Sequence, residues 1–109
     1  MADAMRLDDN GNPDPLRTRK AQGRLAKAVP GSPARLDDPP LEGRVSVLVQ
    51  NVGGVDLDFV FSDTAPASAP GILTPGDVQP ALAGADVGVY GRTAANSCPV
   101  FIQEFGRGA

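Results

Sequence analysis

Few side chains in this chain could do chemistry. Its 109 residues include no histidine and one cysteine, Cys98. A catalytic cysteine needs a neighbouring base to form its thiolate, and histidine is the usual base. Cys98 also alternates with Val100 and Ile102, which is the spacing of one face of a strand. We therefore predict that Cys98 is a small buried apolar residue and that the protein is not an enzyme.

Two carboxylates, Asp56 and Asp58, stand two residues apart. Such a pair could bind calcium or act as acid and base, but calcium takes about six to eight oxygen ligands and no EF-hand-like loop surrounds the pair. The missing histidines and the single cysteine exclude a zinc site on ligand count. We interpret the two aspartates as the solvated side of a strand, and we expect no metal and no cofactor.

Positive charge is concentrated near the N terminus. Residues 16–36 carry six basic side chains and no acidic one, whereas the whole chain has a net charge of −3. No aromatic residue is interleaved for stacking on bases, and the overall negative charge argues against nucleic acid as a partner. An acidic protein surface would suit the basic segment, and a merely solvated linker remains the alternative.

Residues 1–42 read as an extended, proline-rich basic arm. Six prolines interrupt this segment and it has no aromatic residue, so it cannot offset its own chain entropy. The sequence LRTRKAQGRLAKA, with Asp14 as cap and Pro15 at the first helical position, suggests one short helix. We expect the arm to become ordered against a partner. The expected partner-binding residues are Leu16, Arg17, Arg19, Lys20, Arg24, Leu25, Lys27 and Val29.

Residues 43–109 read as the folded module. The stretch 44–61, RVSVLVQNVGGVDLDFVF, consists of two alternating runs around a Gly-Gly pair, which predicts a tight β-hairpin. Further short strands are expected at 72–73, 78–82 and beyond, separated by turn residues. Pro75 and Gly76 predict a type II turn over residues 74–77, and Pro80 suits only an edge strand or a bulge. The fold class is therefore mainly β, a small antiparallel β-sandwich or partly open barrel with an extended N-terminal arm.

Size predicts a need for contacts outside the module. A domain of about 65 residues buries only ~60% of the surface of its unfolded chain and is marginal alone. Neither a disulfide nor a zinc ion is available to stabilise it. We therefore expect a homo-oligomer or docking onto a larger body.

A fixed order of turns and strands runs through residues 44–105. A strand ends in QNVGG, VDLDFVFSD follows, a glycine- and proline-rich link reaches LTPGD, and VGVYGRTAANSCPVFIQEF closes the series. This order resembles the small β-rich structural proteins of tailed bacteriophages. A proline-rich arm on a small β-module is typical of capsid decoration (cement) proteins. The resemblance implies that the partners are the major capsid protein or other virion proteins, whose subunits the arm would clamp.

Two alternatives stay open at this point. One is a neck, tail or fibre-adaptor component of the same kind of virion. The other, from a different class, is a carbohydrate-binding β-sandwich module, which the absence of tryptophan disfavours. No apolar run approaches the ~20 residues of a membrane helix, and no signal-peptide pattern is present. We expect a virion location after assembly in the host cytoplasm.

Overall fold

In the computed structural model, which describes residues 19–107, the chain forms two antiparallel sheets of four strands each. The strands are β1 (Arg19–Ala28), β2 (Ala34–Arg35), β3 (Arg44–Asn51), β4 (Leu57–Ser62), β5 (Gly71–Leu73), β6 (Val78–Leu82), β7 (Gly88–Arg92) and β8 (Cys98–Arg107). The first sheet has the order β1-β8-β3-β6 and the second the order β2-β7-β4-β5. The described residues contain no helix. The prediction of a mainly β sandwich is confirmed.

The core lies between the two sheets and is built from residues that alternate along the strands, because successive side chains on a strand point to opposite faces. Its members are small and aliphatic. They are Ala28, Leu36, Val47, Val49, Leu57, Leu73, Ala83, Val89, Cys98, Val100 and Ile102. Burial of these apolar side chains is the main source of stability that the sheets share.

Local predictions for residues 74–82 are confirmed. Asp77 N donates to Thr74 O at 3.0 Å, and Gly76 has a φ of +87°. A positive φ at the third position is the mark of a type II turn, and glycine adopts it without strain. The strand that follows, β6, lies at a sheet edge, where Pro80 costs no ladder hydrogen bond.

The hairpin predicted for residues 44–61 is wrong. Its two halves do form strands, but β3 pairs with β6 and β8, whereas β4 pairs with β5 and β7 in the other sheet. Neither glycine of the pair has a positive φ, so the chain crosses between sheets instead of folding back. A Cβ on Gly53 would lie 2.7 Å from Pro99 Cδ, so this glycine permits a close approach of the backbone to β8.

The helix suggested within the arm is also wrong for the described residues. Residues 19–28 form β1, which pairs with β8 from Arg19↔Arg107 to Ala28↔Cys98. Ala28 and Leu36 are buried in the core. The sheets therefore begin inside residues 1–42, the range that the sequence assigns to an arm. An unbroken strand partner, β8, outweighs the weak helical signal of this segment.

A fragment of residues 43–109 is expected to lack a cooperative unfolding transition. It would lose two strands and would expose one edge of β8, and a small domain has only about 5–15 kcal/mol of stability to lose. Thermal unfolding followed by circular dichroism, with the full chain as control, checks this. A cooperative β-type transition in the fragment would contradict the assignment of β1 to the fold.

Candidate interaction surface and buried charge network

A buried arginine, Arg44, joins the two sheets. Its side chain is fully buried, and its Nη1 lies 2.6 Å from Asp37 Oδ2 and 3.0 Å from Glu104 Oε2. Both carboxylates are also fully buried. Asp37 follows β2 of the second sheet, whereas Glu104 belongs to β8 of the first. One guanidinium therefore pairs with an acid from each layer.

Backbone carbonyls accept hydrogen bonds from the remaining nitrogens of Arg44. Its Nε donates to Ala83 O at 3.1 Å, and its Nη2 donates to Gly84 O at 2.7 Å and to Val87 O. These carbonyls all belong to the connection between β6 and β7. A buried charge is tolerated only when it is paired and its donors are satisfied. The network thus holds the chain where it crosses from one sheet to the other.

Each carboxylate has further partners. Asp37 Oδ1 accepts from Arg35 Nε at 3.0 Å and from Val89 N at 2.9 Å. Glu104 Oε1 accepts from Gln22 Nε2 at 3.1 Å and from Arg24 Nη2 at 3.2 Å. Glu104 therefore binds β1 as well as Arg44. The network attaches the first strand to the rest of the fold.

Hydrogen bonds keep Asp37 ionised. Burial alone would raise its pKa, but the hydrogen bonds from Arg35, Arg44 and the Val89 amide outweigh burial and lower the pKa below its usual value. The carboxylate form of Asp37 is therefore favoured in the folded protein. A group with a lowered pKa stabilises the fold at pH values above its unfolded pKa.

A β-bulge explains why the alternating pattern of residues 44–51 does not predict that Arg44 is buried. The pairing of β3 with β8 shifts between Arg44 and Ser46, which reverses the facing of the residues before the shift. Val45 is 44% exposed and Arg44 is 4% exposed, whereas the alternation of Val45, Val47 and Val49 predicts that Val45 is the buried residue of the two. The inward position of Glu104 could have been predicted, because it continues the alternation of Val100 and Ile102.

The other side of the first sheet is exposed, and the three rows between Lys27 and Arg107 carry no charged side chain. Its central part consists of twelve residues in three rows that run across the strands, and each row is given below in the order β1, β8, β3, β6. We call these residues the outer face. They are Ala21, Phe105, Ser46 and Leu82; Gly23, Gln103, Leu48 and Pro80; and Leu25, Phe101, Gln50 and Val78.

Large apolar side chains dominate the outer face. Leu82 is 90% exposed and Leu25 is 71% exposed, and Phe105 and Val78 are each more than two-fifths exposed. The Phe101 ring lies over Gly23, where an added Cβ would be 2.9 Å from its Cζ. Strand spacing and rise make the patch on the order of 20 by 15 Å. An exposed apolar patch of this size is a candidate interaction surface.

The structure describes six of the eight residues expected to bind a partner. Leu16 and Arg17 lie outside the described residues, and Lys20, Arg24, Leu25 and Lys27 alternate between the two faces of β1. Leu25 and Lys27 point outward. Lys20 and Arg24 are on the inward side, where Arg24 is bound to Glu104.

Arg19 and Val29 lie at the two ends of this stretch. Arg19 is the first residue of β1. Val29 follows β1 and is 46% exposed. The structure thus brings Leu25 and Lys27 together on one face of β1, and a clamp formed by the whole set stays a prediction.

Cys98 is buried, as predicted. Its Sγ lies 3.0 Å from Asn51 Oδ1, and burial raises the pKa of its thiol.

The two aspartates, Asp56 and Asp58, do not form a joint site either. Asp58 Oδ2 accepts from Arg92 Nη1 at 2.8 Å, whereas Asp56 is exposed. Neither feature brings together a nucleophile and a base.

Among residues 19–107, no group of three or more histidine, cysteine, aspartate or glutamate side chains could hold a metal ion. In the same range, no helix is long and apolar enough to cross a membrane. Comparison of the chain with protein-family models and with curated proteins found no match. The outer face is the one extended feature of the described surface that indicates a function.

Asp37→Asn is expected to remove a pH-dependent part of the stability. It takes one charge from a buried network, which costs about 3–5 kcal/mol. Because the pKa of Asp37 is lowered by folding, the stability difference from wild type is full above the unfolded pKa of ~3.9 and shrinks as the pH falls below it. Urea unfolding from pH 7 to pH 2.5 measures this, with Asp56→Asn as the exposed control. A difference that stays constant across this window contradicts the ionised state of Asp37.

Proposed function

We propose that the protein is a non-catalytic structural subunit whose copies assemble through the outer face. The observation that carries the proposal is an exposed sheet face with apolar side chains and no charge. Interface centres are depleted in charged residues and enriched in aromatic ones, and the outer face has both properties. Pairing of the buried charges Arg44, Asp37 and Glu104 with one another supports a structural role for them over a catalytic one.

A virion role is the finer form of this proposal. The order of turns and strands in residues 44–105 resembles small β-rich structural proteins of tailed phages, and this resemblance supports a capsid decoration protein. Such a subunit acts mechanically, because many linked weak contacts raise the effective affinity without new chemistry. Lys27 and Val29, exposed at the end of β1, are available for contacts with a shell subunit.

The same resemblance also supports a second role, at another position in the virion. A neck, tail or fibre-adaptor component would use the outer face in the same way, at a lower copy number. Quantitative mass spectrometry of purified particles separates the two positions. A copy number comparable to that of the capsid protein supports decoration, and a handful of copies supports an adaptor.

Leu82→Asp and Leu25→Asp are each expected to weaken self-association at least tenfold. Burying a leucine contributes about 1.5–3 kcal/mol, and 1.4 kcal/mol is a factor of ten in affinity. Ile72→Asp is the matched control, since Ile72 is 64% exposed but lies in β5 of the other sheet. Sedimentation equilibrium measures the association. An effect of Ile72→Asp as large as that of the two leucine variants would falsify the assignment of the outer face.

A further inference from the structure

The four strands at the edges of the two sheets differ in how well they are protected from pairing with another strand. β6 carries Pro80 at its middle, whereas β2 and β5 contain two and three residues and directly follow Pro33 and Pro70. Proline has no N–H to donate, and a short strand presents few backbone groups. β1 has ten residues without a proline or a bulge, and within residues 19–107 no strand pairs with its other side. Among the described strands, β1 therefore has the one long open edge.

The hydrogen bonds of β8 show which backbone groups of β1 point to this open edge. Val52 N donates to Pro99 O at 3.2 Å, and Arg107 N donates to Gly43 O at 3.3 Å, both on the β3 side of β8. Residues of an interior antiparallel strand alternate between their two neighbours, so the even-numbered residues of β8 bond to β1. Their partners are Lys20, Gln22, Arg24, Ala26 and Ala28. The residues between them, whose N–H and C=O groups point away from β8, are Ala21, Gly23, Leu25 and Lys27.

We propose that the open edge of β1 binds an extended acidic segment of a partner protein, which joins the first sheet as a further strand. A strand that adds to a sheet edge takes its affinity from main-chain hydrogen bonds and its selectivity from side chains. Here the main-chain donors and acceptors are those of Ala21, Gly23, Leu25 and Lys27. This inference goes beyond the proposed function, because it concerns a different partner and does not depend on self-association.

The charge of β1 selects an acidic partner. The strand contains four basic residues and no acidic one. Arg24 is bound to Glu104, whereas Lys27 is exposed and takes part in none of the ion pairs between described residues. Glu42 precedes Gly43, which lies near Lys20, because a Cβ added to Gly43 would be 3.8 Å from Lys20 Cε. Lys27 therefore contributes the larger attraction for an incoming carboxylate.

The same charges disfavour pairing of β1 with β1 of a second copy. In every antiparallel register, basic residues of one copy face a strand that has no acidic residue. Like charges on neighbouring strands are destabilising, and lysines on edge strands protect natural sheets from self-association. An edge that repels its own copy but keeps its backbone groups open is selective for an acidic strand.

NMR of backbone amides in the isotope-labelled full chain tests the proposal, with the acidic peptide DDTVTVTDD and the basic peptide KKTVTVTKK as probes. In the free protein, the amides of Ala21 and Leu25 should exchange quickly with solvent, and those of Gln22 and Arg24 should exchange slowly. The acidic peptide should protect the first pair, and the basic peptide should bind about tenfold more weakly. Lys27→Glu should reverse this preference.

A proline substitution in β1 tests the hydrogen bonds themselves. Ala21→Pro removes an N–H of the open edge that β8 does not use, so the cooperative unfolding of the protein should persist. The acidic peptide should then bind at least about tenfold more weakly. Ala21→Ser is the matched control, since it changes the side chain and keeps the N–H, and it should bind the peptide as wild type does. Loss of cooperative unfolding in Ala21→Pro alone would contradict the direction assigned to this N–H.

The other outcomes identify a different occupant or no site. Equal binding of the two peptides, or equal peptide binding by Ala21→Pro and Ala21→Ser, overturns the open edge as an acidic-strand site. Slow exchange of the Ala21 and Leu25 amides in the free chain shows that the chain itself covers the edge, and protection that grows with protein concentration shows that a second copy does. Either result overturns the acidic partner. The effect of Leu82→Asp on self-association is independent of all of them, so the proposed function stands or fails separately.

Discussion

The buried guanidinium of Arg44 is the constraint on which the rest of the structure depends. A cation without solvent must be paired, and losing one partner of such a pair is strongly destabilising. Asp37 and Glu104 supply the charge, and three carbonyls between β6 and β7 take up the remaining donors. These partners come from both sheets and from the crossing between them. Glu104 also holds Gln22 and Arg24, so β1 is part of the same network.

The charged side chains of this network lie in the core, where a sandwich normally has apolar side chains. The outer face, by contrast, exposes apolar side chains where a surface normally has polar ones. Glu104 points inward between Ile102 and Gly106, while Phe105, its neighbour on β8, is left at the surface. Successive residues of a strand point to opposite faces, so a strand that turns Glu104 inward turns Phe105 outward. The fold is thus stabilised internally by paired charges and presents an apolar sheet to its surroundings. A protein arranged in this way is suited to packing in an assembly.

The class of fold could be predicted from alternation and turn residues, and so could the burial of Cys98 and the edge position of Pro80. Two features could not. A Gly-Gly pair between alternating runs indicates a hairpin, yet alternation does not say which sheet each run joins, and β3 and β4 join different sheets. The basic composition of residues 19–28 hid a strand, because the inward Gln22 and Arg24 are polar and find their carboxylate partner, Glu104, far along the chain. The β-bulge beside Arg44 exchanges the inward and outward positions of the residues before it, and no local sequence pattern indicates a bulge there.

Methyl NMR of the full chain at increasing concentration tests the central claim most directly, since it reports contact at individual side chains in solution. The methyl signals of Leu25, Leu48, Val78 and Leu82 are expected to shift with concentration, because the outer face becomes covered by a second copy. The signals of buried Val49 and Leu57, and of Ile72 on the other sheet, should stay fixed. Shifts confined to Ile72, or no shifts at millimolar concentration, would contradict the outer face as the surface of assembly.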